Sequence, residues 1–362
     1  MSAWHPDLPP PESAAMAPSP PAVALATPAP APPGSPARDG AVDALRGFAL
    51  LGIVLVNVPF FAAPIAVGPV IEGRADAWAF SALAALAIGK FFLIFSFLFG
   101  FGFATSIAAD ARAGRASGPR LARRLAGLLA FGLVHAVFLF VGDILMLYAA
   151  LGALLWLARG LAPGRLVALA LLAYGVAVLA QGVALIAAVP DAEAAFERAR
   201  GAHLGSFWDA ARFRLREEVW IGQPFILVFN GPAALAMFLL GLVLAAMARS
   251  AAAPLLAAGY GLLVLRAADR RPDHPLVRLL ALAGGMTLTG YLGHSVILGF
   301  VFGGWGLGLY GQVGAAACLA IGLATYALLL ALFAAWRQAF RYGPDEWLLR
   351  SWVDLAWKPM RA

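Results

Sequence analysis

The chain has 362 residues, 62% of them hydrophobic and only 12% charged, with a mean hydropathy of +0.84. A soluble domain carries about 25% charged residues, so this composition excludes an ordinary globular domain and indicates an all-α polytopic membrane protein. The net charge of +7 is the surplus expected of cytoplasmic-loop arginines and does not indicate nucleic acid, while the single cysteine, Cys318, excludes intrachain disulfides and thiolate metal sites.

Residues 1–38 hold about half of the 25 prolines and no apolar run. Proline at this density prevents helix, and too little apolar surface is present to drive folding. The segment lacks the basic start and apolar core of a signal peptide and reads as a disordered cytoplasmic tail. The membrane domain then spans 39–340, with an interfacial cytoplasmic segment at 341–362.

Apolar runs recur at 43–62, 84–107, 121–141, 143–159, 165–189, 224–247, 278–302 and 312–336. A crossing needs ~20 residues, and the fourth run is near the lower limit. A further run, 252–265, carries Pro254 and is too short to span. The expected fold is a bundle of about eight transmembrane helices plus one short or re-entrant segment.

Arginine sets the orientation. Arg112, Arg115, Arg120, Arg123 and Arg124 crowd the link between the second and third spans, which reads as a cytoplasmic loop. Arg159 and Arg165 mark the next inner loop, and Arg337, Arg341, Arg350, Lys358 and Arg361 place the C-terminus inside with the N-terminus. Residues 190–222 then lie outside as an amphipathic, mixed-charge segment. Arg249 and Arg266 stand on the same side, so 252–265 should not cross.

Polar groups within these spans are the functional candidates, because burying them in lipid is costly. Asp43 and Arg46, three apart, share a helix face at the inner end of the first span and can pair. Asn57, Lys90, His135, Asp143, Asn230 and His294 come from different spans to one level near the outer face. His135 and Asp143 flank the turn between the third and fourth spans, eight residues apart. A carboxylate beside an imidazole fixes its tautomer and raises its basicity, as a general base requires. The competing role is a hydrogen bond that locks the hairpin. Five scattered histidines without HExxH spacing make no metal site.

Five stretches resemble the YeiB family of bacterial inner-membrane proteins: DALRGFALLGIVLVN at 43–57, GKFFLIFSFLFGFGFA at 89–104, RRLAGLLAFGLVHAVFLFVGDILMLYAALGALL at 123–155, GMTLTGYLGHSVIL at 285–298 and FRYGPDEWLLRS at 340–351. The family pattern has Asn at Gly290 and Gln at His294, and its last motif reads GPLEW against GPDEW here. The family also carries one more span near Met247 to Ala257. The opening motif is similar to that of the wider transmembrane acyltransferase superfamily. That resemblance implies transfer of an acyl group from cytoplasmic acyl-CoA, as donor substrate and with no bound cofactor, to an acceptor beyond the membrane. The histidine used by the related acetyltransferases follows their first span, where this chain has none, so His135 is singled out by depth alone.

Two functions follow as expectations. One is a membrane-bound O- or N-acyltransferase with His135 as general base, Asp143 as its orienter, and Asp43, Arg46, Asn57, Lys90, Asn230 and His294 binding substrate. The other is a transporter of a small or anionic solute, although no internal repeat is visible. A structural or assembly factor is a third reading. The expected partners are the lipid bilayer and a small-molecule or glycan acceptor, with a homodimer allowed.

Overall fold

The structure, a computed structural model, describes residues 40–64, 68–186, 192–247, 264, 266–268 and 270–361. The expected tail at 1–38 and nearly all of the short run at 252–265 lie outside the described residues.

The chain is an all-α, multi-pass protein. Its helices are α1 (Gly40–Ala62), α2 (Arg74–Leu86), α3 (Lys90–Arg112), α4 (Ser117–Phe138), α5 (Leu145–Ala158), α6 (Pro163–Ile186), α7 (Ala192–His203), α8 (Phe207–Phe213), α9 (Val219–Met247), α10 (Pro275–Gly284), α11 (Thr287–Phe302), α12 (Ala315–Trp336) and α13 (Pro344–Asp354). A five-residue π-helical stretch, Arg214–Glu218, joins α8 to α9. Helix starts follow local chemistry. Pro275 and Pro344 open α10 and α13, where a missing N–H breaks no intrahelical bond. Ser206 and Asp209 cap α8 reciprocally.

Each of the eight long apolar runs is largely helical over its described residues, but not all are single full-length spans. Among the described residues, six stretches are long and apolar enough to cross a membrane, and the α10–α11 pair makes a seventh if its 86° bend is one broken span. Helix α5 has 14 residues, or about 21 Å, short of the ~30 Å hydrocarbon core. The sequence reading also left out α2, whose Asp76 accepts the backbone N–H of Ala316 at 3.0 Å and so caps α12.

Lipid is as apolar as leucine, so close packing rather than water exclusion holds such helices together. Helix α3 lies along α9, where a Cβ on Gly100 would clash with the Phe238 carbonyl and one on Gly241 with that of Phe97. Helices α1 and α10 approach as closely through Gly47 and Gly284. Two cores result. One joins α1, α11 and α12 around Leu50, Val54, Leu298 and Phe333. The other joins α3, α5, α6 and α9 around Phe103, Leu155, Leu166 and Phe238. Below, the end of the bundle where α1 starts is called the lower end, and the end where it stops the upper.

Candidate active site

His135 lies in the last turn of α4, and the chain turns back through residues 139–144 into α5. Asp143 folds down from this turn because its Oδ1 accepts the N–H of Met146 at 2.8 Å, capping α5. Its Oδ2 lies 2.8 Å from His135 Nδ1. His135 Nε2 is 2.7 Å from the Ser295 hydroxyl on α11. All three residues are fully buried. With Asp143 as a carboxylate accepting from Nδ1–H, Nε2 carries the lone pair and accepts from Ser295.

A second pair adjoins the first. Asn57 donates from Nδ2 to His294 Nε2 at 3.2 Å, and His294 Nδ1 faces the Gly290 carbonyl at 3.3 Å. Tyr291 lies between the two systems, its ring 4.9 Å from His135 and 5.4 Å from His294. Its phenol accepts the N–H of Ile144 at 3.2 Å. Four of the expected residues, Asn57, His135, Asp143 and His294, thus meet at one level from α1, α4, α11 and the α4–α5 turn.

The other candidates stand elsewhere. Lys90 does not reach this cluster. Gly89 adopts a left-handed turn (φ 79°) between α2 and α3, and Lys90 Nζ donates to the Ala84 carbonyl at 2.9 Å on the exposed side. It serves as a cationic partner for the last carbonyls of α2. Asn230 is half-buried on α9, within the other helix group, and no hydrogen bond among the described residues joins it to the site. Asp43 and Arg46 do pair, at 2.8 Å, but they lie 14 and 11 residues before Asn57, or about 21 and 16 Å lower along α1.

Above the polar cluster, Phe61 and Phe140 stack with centroids 4.1 Å apart. Phe61 meets His294 edge-on and Phe140 meets His135 edge-on, each at 6.2 Å. The same two rings line a partly open pocket at the upper end, with Phe138, Trp305, Tyr310, His203, Arg214 and Glu218. They separate this vestibule from the buried histidines.

The vestibule carries a polar constellation that sequence reasoning missed. Arg214 donates to the Val137 and Phe138 carbonyls at 2.8 and 2.9 Å. It thereby satisfies the end of the helix that bears His135. Arg214 also donates to His203 Nδ1 at 3.3 Å, and His203 Nε2 donates to Glu218 at 3.2 Å. Burial, reinforced by Glu218, pushes the Tyr310 phenol well above the usual tyrosine range. Arg214 and Glu218 fall at the two ends of the π-helical stretch. The signal in the sequence was only a mixed-charge face, which ordinarily belongs to solvent.

At the lower end, Arg124 sits over the Phe99 ring at 5.4 Å, with Arg46 and Arg350 within electrostatic reach. A small, partly open pocket there is lined by Ser106, Asp110, Ser117, Arg120, Arg124 and Val353, among others. Glu346 on α13 accepts the N–H groups of Leu288 and Thr289 at 2.5 and 3.1 Å and the Thr289 hydroxyl at 2.6 Å. It caps α11 from another helix, next to the α10–α11 bend. Burial nonetheless raises its carboxyl above the usual range, against these hydrogen bonds. No cluster of His, Cys, Asp or Glu among the described residues suits a metal ion.

Comparison with known proteins bears on this arrangement. Residues 208–356 match a family described as "Protein of unknown function (DUF418)". "Uncharacterized protein YxaH" of Bacillus subtilis (strain 168) is 29% identical over 398 residues, covering 89% of this chain and 96% of its own. "Uncharacterized protein YeiB" of Escherichia coli (strain K12) is 28% identical over 376 residues, covering 86% and 95%. Over most of its length the chain is thus similar to the YeiB family. No solved structure matches it. The DUF418 region carries Arg214, Glu218, Tyr291, His294, Ser295 and Glu346. His135 and Asp143 lie before it, so the site is completed only by the earlier helices.

Proposed function

We propose that this protein is a membrane-bound acyltransferase. It moves an acyl group from cytoplasmic acyl-CoA to a hydroxyl or amine beyond the membrane. The single observation that carries the reading is the buried Asp143–His135 pair beneath the upper vestibule. An imidazole whose Nδ1–H is held by a carboxylate presents a basic Nε2, which is what deprotonating an attacking hydroxyl or amine requires. His135 is the general base and Asp143 its orienter. The vestibule admits the acceptor, a small molecule or glycan. The arginines at the lower end attract the anionic donor.

On this reading the upper end faces outward, and the arginine-rich links and both termini lie in the cytoplasm of a bacterial cell, with the bundle in its inner membrane. The test is incubation of purified protein with labelled acyl-CoA and membrane extract. Label should move to an extractable acceptor, and His135→Ala should abolish the transfer while leaving the thermal unfolding of the detergent-solubilised protein largely intact. Loss of folding without any transfer in the parent protein would overturn it.

One observation favours a transporter instead. A helix broken by 86° between α10 and α11 is the type of discontinuity on which transporter sites are built. Liposomes loaded with small anionic solutes separate the readings, since a transporter moves solute without acyl-CoA.

A further inference from the structure

We propose that Ser295 is the nucleophile of this site and carries the acyl group as an ester before the acceptor receives it. The inference rests on the acyltransferase reading and adds a covalent intermediate to it. Asp143, His135 and Ser295 form a continuous chain, 2.8 Å from carboxylate to Nδ1 and 2.7 Å from Nε2 to hydroxyl. This is the order of roles that activates a serine: acid, base, nucleophile. The three groups come from the α4–α5 turn, α4 and α11, so no local motif produces the arrangement.

A serine inside a helix usually returns its proton to the carbonyl four residues back. Ser295 is 3.3 Å from the Tyr291 carbonyl but 2.7 Å from His135 Nε2. Its single proton goes to the shorter contact, the imidazole. Ser96 on α3 shows the ordinary case in the same molecule. It donates to the Phe92 carbonyl at 2.9 Å and meets the Tyr148 hydroxyl at 2.8 Å, with no base beside it. Tyr291, one turn before Ser295 on the same face of α11, accepts from Ile144 N–H. Its own proton meets no acceptor among the described residues. That phenol is therefore free to donate to the oxyanion that forms when Ser295 is acylated. The Phe61–Phe140 stack shields the site from water, which would otherwise hydrolyse the ester, and its displacement admits the acceptor.

The two half-reactions balance. Ser295 Oγ attacks the thioester carbonyl while its proton passes to His135 Nε2. The C–S bond breaks, and that proton leaves with the CoA thiolate. The acceptor hydroxyl or amine then attacks the ester carbonyl and gives its proton to His135. The C–O bond breaks, and the proton returns to Ser295.

The full-length protein in detergent is treated with a fluorophosphonate, which phosphonylates activated serines, and separately with labelled acyl-CoA without acceptor. Peptide mass mapping should find both adducts on Ser295, the acyl one released by hydroxylamine. Ser295→Ala should remove them and lower transfer on the order of 10³-fold. Ser295→Cys, which keeps the hydrogen-bond pattern, should still take acyl label and so controls for folding. Transfer at the parent rate in Ser295→Ala would overturn the nucleophile while leaving direct transfer by His135 intact. Phosphonylation of Ser295 without acylation by any acyl-CoA would keep the nucleophile and overturn the donor. Absence of both adducts from a folded protein would overturn the proposal.

Discussion

Gly132 lies directly beneath the carboxylate of Asp143: a Cβ added there would stand 2.6 Å from Oδ1 and 2.7 Å from Met146 Cγ. One helical turn before His135, this glycine is the gap into which the hairpin folds its acid. Gly132→Ala should therefore push Asp143 away from His135. Overpacking of this kind costs about 1–3 kcal/mol, read as a lower unfolding temperature in detergent. Any acyl transfer should fall with it. A variant with parental stability and activity would show that the turn has room to spare.

Asp143 does two things, and two substitutions separate them. Asp143→Asn keeps an oxygen for the Met146 N–H but offers the imidazole an amide donor, which moves its proton to Nε2. Folding should survive, and transfer should fall by about 10³ to 10⁴-fold, the scale seen when a triad acid is neutralised. Asp143→Ala also removes the cap of α5, at roughly 1 kcal/mol. Equal stability loss in both variants would mean that the acid serves packing alone.

Glu346 links stability to pH. Its folded carboxyl titrates above the unfolded value of about 4.3, so the folded state holds the proton more tightly. The stability associated with that proton is fully present below the unfolded value and is lost as pH rises through the raised folded one. Thermal unfolding between pH 4 and 7 should therefore show a downward slope with rising pH. Glu346→Gln should flatten it. Asp345, raised by the same burial, contributes in the same direction, and Asp345→Asn should remove more of the slope.

Arg214 holds the upper end of α4 and the His203–Glu218 pair at once. Arg214→Met leaves two helix-end carbonyls and the half-buried His203–Glu218 pair without their guanidinium. Losing charge-assisted hydrogen bonds to buried carbonyls costs about 1.5–3 kcal/mol each, so the variant should unfold at a markedly lower temperature. Glu218→Gln in the same background should restore part of the loss. An unchanged melting profile in Arg214→Met would show that water replaces the guanidinium.

Reporter fusions at Ala362 and near Arg115 should both read cytoplasmic. The C-terminal result depends on α5, whose 14 residues must count as a crossing for both termini to share a side. A fusion at Ala362 that reads outside would mean that α5, or the broken α10–α11 pair, does not span.

The apolar runs and their arginine-rich links were legible because they report on composition alone: a segment surrounded by lipid must be helical and nearly chargeless whatever it packs against. The proximity of His135 and Asp143 was legible for a related reason, since a short antiparallel turn leaves its two flanks little choice of neighbour. Lys90 shows where depth stops being enough. It was expected at the level of Asn57, yet the adjacent Phe91 packs against Phe48 and Gly52, lower on α1, and the turn at Gly89 sends Lys90 to cap α2 instead. Arg214 and Glu218 looked like a solvated face until the π-helical stretch and the close end of α4 enclosed them.

Ser295 was the least visible of all, a serine in mid-helix beside a more conspicuous histidine. The sequence by itself determined that this chain is a bundle of membrane-crossing helices with a histidine and an acid at one turn. Only the tertiary structure decided which third group completes them. That choice depends on the rotation of α11 about its axis. The rotation is set at a distance, by the bend after Gly284, the Glu346 cap supplied from α13 and the packing of Gly290 against Leu50. None of these is encoded in the spacing of α11's own residues.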